Sequence, residues 1–294
     1  MAIKTQRPER KSVNASFVTT AGVRISYRVD GPSGAAWLLL VNALGTELAS
    51  WDSQIVELQR HFRVLRYDQR GHGLSARAPA PRGDYSLAEL GGDAIALLDE
   101  LGIARAHVAG VSIGGLIAQW LGIHAAARVE RLVLCNTAAR IGSREGWSER
   151  IAQVSQTGLA PLAAAALERW LSPEFRACAI TNGATIEGLR TALVATSVDG
   201  YCGCCAALRD ADLGDDLAQI AAETLVIAGR SDPVTTAADG RTLADRIRGA
   251  RYVELESSHL SYVEAGEAFS AQLLTFLLGP AQGGAASPPA RSRE

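Results

Sequence analysis

For a serine to act as a nucleophile, the backbone must hold its hydroxyl out and a base must take its proton. One stretch of this chain supplies the first requirement. Gly110-Val111-Ser112-Ile113-Gly114 reads G-x-S-x-G, the sharp strand-to-helix turn that presents such a serine. The pattern alone is weak, so its surroundings must decide. The apolar run His107 to Val111 precedes it and the apolar helical stretch Ile113 to Ile123 follows. Glycines at 110, 114 and 115 remove side chains that would crowd so tight a turn. The alternative is a serine that merely caps a helix.

A hydroxyl is a poor nucleophile until a base acts on it, and the base needs a carboxylate to hold its tautomer. Of the five histidines, His61 falls at a polar helix end, His107 in a strand run and His124 on the helix after the turn. His259, in Ser257-Ser258-His259-Leu260, follows the last strand run, where loops at the carboxyl ends of a parallel sheet gather. It is the expected base. Asp232, in Gly229-Arg230-Ser231-Asp232-Pro233, directly follows another strand run and is the expected acid; an ordinary turn aspartate before proline is the alternative. A tetrahedral intermediate also needs amide donors. Ile113 N–H is one candidate, and Leu44 N–H, in Asn42-Ala43-Leu44-Gly45-Thr46, is the other. Asp68 and His72, in Tyr67-Asp68-Gln69-Arg70-Gly71-His72-Gly73, have the four-residue spacing of helical metal ligands, but two glycines make an ordered turn the better reading. No metal and no cofactor is called for.

Composition bounds what these residues can serve. The chain has 294 residues, 29 basic and 31 acidic, a formal charge of −2, and 48% hydrophobic side chains. A chain of this length buries roughly 75% of its unfolded surface, enough for one large core with a lid. Near-neutral charge without a basic stripe argues against nucleic acid, and no apolar run approaches the ~20 residues that span a bilayer. The N-terminus has no apolar stretch of the signal-peptide kind. The five cysteines are odd in number, with Cys202, Cys204 and Cys205 crowded together, so reduced thiols in a cytoplasm are expected. A small-molecule partner fits this balance, and oligomeric state is not legible.

The elements that must position the site follow from periodicity. Residues 14–20 and 22–29 alternate as an antiparallel hairpin. Trp37 to Val41, Val64 to Tyr67, Val108 to Val111, Leu132 to Cys135, Leu225 to Ala228 and Tyr252 to Leu255 are short apolar runs, expected as strands buried on both faces. Helical patterns at 87–101, 113–123, 235–247 and 269–278 separate them, which predicts an α/β fold: a mostly parallel twisted sheet with helices on both faces. About 85 residues separate the sixth strand from the seventh, far more than a crossover needs. Helical composition at 147–157, 162–171, 186–196 and 213–222 predicts a lid inserted there. The expected organisation is a disordered tail at 1–12, a core of 13–136 and 224–278, a lid of 137–223, and a disordered tail at 279–294.

The motifs GVSIGG, YDQRGHGLS, IAGRSDPVT and SSHLSYVE together resemble the α/β-hydrolase superfamily, and the chain order Ser112, Asp232, His259 is that of its triads. NALGTELASWD, RLVLCNTAARIG, GWSERI and GYCGCCAALRDADL are similar to the 3-oxoadipate enol-lactonase family, hydrolases of aromatic catabolism. The resemblance implies opening of a five-membered enol-lactone through an acyl group on Ser112. It also implies a carboxymethyl arm on the substrate, for which Arg140 and Arg144 are candidate partners, with Trp147 as a pocket wall. Carboxylesterase, ring-fission carbon–carbon hydrolase and cofactor-free perhydrolase or haloperoxidase activities share the triad, and a ligand receptor that retains it is a further alternative.

Overall fold

The computed structural model describes residues 16–20, 22–77 and 83–280. The expected tail at 1–12, and all but Gly279 and Pro280 of that at 279–294, lie outside them. Eight strands form one sheet: β1 (Ser16–Thr20), β2 (Val23–Asp30), β3 (Trp37–Val41), β4 (Arg63–Tyr67), β5 (Ala106–Val111), β6 (Val129–Cys135), β7 (Glu223–Gly229) and β8 (Arg251–Leu255), in the order β1-β2-β4-β3-β5-β6-β7-β8. The β1–β2 hairpin joins antiparallel to β4, and every other pairing is parallel. All six apolar runs are strands. β3 to β7 are buried almost throughout, whereas β8 is half-buried, because it is the sheet edge and has no neighbour on its far side among the described residues.

Helices α1 (Asp52–Leu58), α2 (Leu87–Glu100) and α3 (Ile113–His124) cross between the early strands. Ser86 and Glu89 form a reciprocal cap on α2, which fixes where it starts. Between β6 and β7 come α4 (Arg144–Thr157), α5 (Ala163–Trp170), α6 (Pro173–Ala177), α7 (Ala179–Ala195) and α8 (Val198–Asp210), the inserted helical lid. Next are α9 (Ala237–Arg246), α10 (Ser261–Glu264) and α11 (Gly266–Leu278).

The lid corrects one expectation. Residues 213–222 hold only a short 3-10 turn, Leu217–Gln219, and the last lid helix is α8. Its glycines disguise it in sequence but are what lets it dock. A β-carbon at Gly71 would come within 2.4 Å of Gly200 Cα, and Ser197 N–H donates to Gly71 O at 2.9 Å, so lid and core meet backbone to backbone. Among the described residues no single helix is long and apolar enough to cross a membrane. The pair α7 and α8 would pass that test together, but it is bent by 93° and α8 is largely buried.

Candidate active site

Parallel register brings the functional residues together. Val111 pairs with Cys135, Cys135 with Ile227 and Gly229 with Leu255, so β5, β6, β7 and β8 end at one level and the loops carrying Ser112, Asn136, Asp232 and His259 open on the same side. Ser112 sits at φ 59°, a conformation costly for a residue with a β-carbon. The surrounding chain enforces it. A β-carbon at Gly110 would lie 2.1 Å from Gly114 O, and one at Gly114 would lie 2.4 Å from Val41 O. Thr137 Oγ1 donates to Ser112 O at 2.8 Å, fastening the turn from β6.

Asp232 and His259 form a buried pair, 4% and 2% exposed. His259 Nδ1 lies 2.8 Å from Asp232 Oδ2. That oxygen also accepts from Thr235 Oγ1 at 2.9 Å and Asn136 Nδ2 at 3.0 Å, while Oδ1 accepts Val234 N–H at 2.8 Å and Thr235 N–H at 3.1 Å. Burial pushes the Asp232 carboxyl up, but the His259 ring and these donors outweigh it and hold it below the usual carboxylate range. A carboxylate facing Nδ1 accepts the ring proton on that nitrogen and leaves Nε2 on the far side of the ring.

Asn136 is the site residue that sequence reasoning missed. It follows β6 directly at φ 43°, and Nδ2 donates to both Asp232 Oδ2 and Ser258 O. Its Oδ1 accepts from Ser261 Oγ, so one amide ties the Asp232 loop to both sides of His259. An asparagine closing an apolar strand run was the available signal, since asparagine tolerates positive φ.

The loop after β3 is held from several directions. Trp51 Nε1 donates to Asn42 Oδ1 at 2.9 Å, Asn42 Nδ2 to Tyr67 O at 2.9 Å, and Gln69 Nε2 to Asn42 O at 2.7 Å. Gly45 N–H donates to His72 Nε2 at 3.0 Å. His72 Nδ1 lies 3.2 Å from Arg70 O, and burial pushes the imidazole down to about 4. Asp68 accepts Leu48 N–H and Leu74 N–H, with burial raising it to about 6. Asp68 and His72 are thus the struts of an ordered turn. Neither Leu44 N–H nor Ile113 N–H has a backbone acceptor among the described residues.

The lid arginines expected at the site are each engaged by an aspartate. Arg140 pairs with Asp212 at 3.5 Å and lines a cleft of about 220 Å³ with Leu217 and Arg246; Arg144 pairs with Asp210 at 2.6 Å. Both are largely exposed, and each already has a carboxylate partner. Trp147 packs on the Ile141–Gly142 turn, its Nε1 donating to Ile141 O at 2.6 Å. The lid tryptophan over the site is Trp170. It and Leu193 fill the space where a side chain at Gly45 would stand, and Trp170 O accepts Leu260 N–H at 3.0 Å.

A family model described as the alpha/beta hydrolase fold matches residues 36–266. The chain belongs to the α/β-hydrolase family. It is 41% identical over 253 residues to 3-oxoadipate enol-lactonase 2 of Acinetobacter baylyi, covering 86% of this chain and 92% of that protein. The crystal structure of an enol-lactonase from Burkholderia xenovorans LB400 superposes with a TM-score of 0.85 at 42% identity, covering 90% of this hydrolase and all of that chain. A hydrolase from Pseudomonas aeruginosa PA01 gives a TM-score of 0.87 at 46% identity, over 92% and 100%. Likeness of this extent makes the protein a carboxylic ester hydrolase.

Proposed function

We propose that this hydrolase opens 3-oxoadipate enol-lactone to 3-oxoadipate by way of an acyl group on Ser112. The carrying observation is the convergence of the strained Ser112 turn and the buried Asp232–His259 pair at one end of the sheet, in a chain similar to enol-lactonases over nearly their whole length. In this reading 13–136 and 224–278 form the catalytic core and 137–223 the lid.

His259 Nε2 takes the Ser112 proton as Oγ adds to the lactone carbonyl, and Asp232 stabilises the imidazolium. The developing oxyanion is met by Leu44 N–H and Ile113 N–H, each such donor contributing about 3 kcal/mol. Collapse expels the ring oxygen as an enol, protonated by His259, which becomes the ketone. The reverse sequence, with His259 deprotonating water, releases the acid and restores Ser112. One lactone and one water thus give one keto acid. A lid that shields the acyl group suits this chemistry.

The test is to generate the enol-lactone in situ and follow its ultraviolet absorbance after adding protein, beside a neutral aryl ester and a Ser112→Ala control. Fast, serine-dependent loss of lactone is the expected result. Ester cleavage with an untouched lactone would overturn the substrate and leave the serine hydrolase.

A further inference from the structure

His259 sits between two residues that are fastened to the lid. Ser258 Oγ donates to Arg169 O at 3.2 Å, and Leu260 N–H donates to Trp170 O at 3.0 Å. One side chain joins the same two segments again. Glu264, the last residue of α10, accepts Ser258 N–H at 3.0 Å and Ser172 N–H at 3.2 Å, both on Oε2. Its own N–H donates to Leu260 O at 3.0 Å, so the short helix carries the carboxylate back onto the loop it leaves. The chain between α5 and α6 needs such partners. Leu171 is extended at φ −130° and ψ 140°, and Ser172 is the N-cap of α6, so its N–H lies outside that helix's own bonding. A carboxylate accepting backbone amides makes bonds roughly twice as strong as neutral ones, and one oxygen shared by two amides fixes them relative to each other.

The clasp reaches both halves of the site. Trp170 is bonded beside His259 through its carbonyl, while its indole stands against Gly45, where a β-carbon would come 3.3 Å from Cη2. Gly45 follows Leu44, the proposed oxyanion donor. Asn136 holds the His259 loop from its other side, through Ser258 O and Ser261 Oγ. We propose that Glu264 is a positioning residue for the hydrolysis: by clasping Ser258 N–H and Ser172 N–H it makes the lid segment 169–172 and the His259 loop one body, so that the base and the oxyanion loop keep their spacing. Glu264 acts through those two residues and moves no proton itself. A misplacement of about 1 Å can cost about 10²-fold in rate, so a clasp of this kind shows in kcat. The proposal rests on the reading of Ser112 and His259 as nucleophile and base.

The test measures kcat and KM on an aryl ester for wild type, Glu264→Ala and Glu264→Gln, with Glu267→Ala, an exposed carboxylate on α11, as control. The glutamine carbonyl can accept both amides without the charge. Glu264→Ala is expected to lose about tenfold or more in kcat with KM within about threefold, Glu264→Gln to stay within about threefold of wild type, and the control within about twofold. An alanine variant within about twofold of wild type in kcat, a glutamine variant as slow as alanine, or a loss carried by KM alone overturns the proposal. Should Glu264→Ala fail to fold, Glu264→Asp is read in its place, since it keeps the charge but draws the carboxylate back by one methylene: a loss of about threefold or more in kcat is expected, and the wild-type value overturns the clasp. Hydrogen exchange followed by mass spectrometry runs alongside on the full chain and needs no turnover. Peptides covering 169–176 and 256–262 are expected to exchange faster together in the alanine or aspartate variant; faster exchange in one segment alone, or in neither, overturns the proposal. Ser112→Ala at the wild-type rate would sink the nucleophile reading, and the exchange comparison would still decide this one.

Discussion

Replacing His72 with asparagine should slow turnover while leaving the chain folded. Gly45 N–H can only donate, so His72 Nε2 carries no proton and Nδ1–H donates to Arg70 O, a neutral tautomer set by its two partners. Asparagine can place a polar atom near Nδ1 but falls short of Nε2; glutamine reaches Nε2. The asparagine variant leaves a buried amide unpaired, costing about 1–3 kcal/mol, which lies within a typical stability of about 5–15 kcal/mol. The freed amide is next in the chain to Leu44 N–H, the proposed oxyanion donor. A lost donor costs about 10² to 10³ in kcat. Here the loop keeps its Asn42 and Gln69 bonds, so part of that is expected: roughly 10- to 100-fold in kcat, with KM within about threefold. Steady-state kinetics on an aryl ester, with thermal unfolding alongside, measures both. His72→Gln should retain most of the rate. An asparagine variant within twofold of wild type, or a glutamine variant equally slow, would refute the loop-positioning argument.

Ser112→Ala should reduce turnover by roughly 10⁴ to 10⁶-fold with little change in Tm, because the hydroxyl supplies chemistry and little packing; Ser112→Gly should be equally inactive but melt about 2–4 °C higher, since glycine relieves about 1 kcal/mol at φ 59°. Asn136→Ala removes a donor from Asp232 and leaves alanine at positive φ, so kcat/KM should fall about tenfold and Tm should drop by several degrees; wild-type values for both would show that the amide does not position the acid. His72 also gives a pH signature. Its folded pKa of about 4 lies below the unfolded 6.5, so its contribution is complete above 6.5 and is lost as pH falls from 6.5 toward 4, about 3 kcal/mol in all. Urea unfolding at pH 7 and 4.5 should show wild type losing about 2–3 kcal/mol more than His72→Gln, and equal losses would contradict the burial argument.

Local rules made the framework readable. Glycines at 110 and 114 are demanded by clashes within a few residues or with the adjacent strand, so the serine turn shows in its own spacing. The parallel strands show as apolar runs because burial on both faces leaves no polar side to alternate. Asp232 and His259 were legible as candidates because each follows such a run. Asn136 escaped because its purpose lies 96 residues away, at Asp232. Helix α8 escaped because its glycines read as breaks until Gly71 and Tyr85 are seen against them. The arginines show the limit most directly. Arg140 and Arg144 were read as candidate partners for an anion, and what the sequence hides is that Asp212 and Asp210 fold back onto them. A side chain's charge is written in its residue type, but whether that charge is already neutralised depends on contacts between helices that meet only when the lid closes on the sheet.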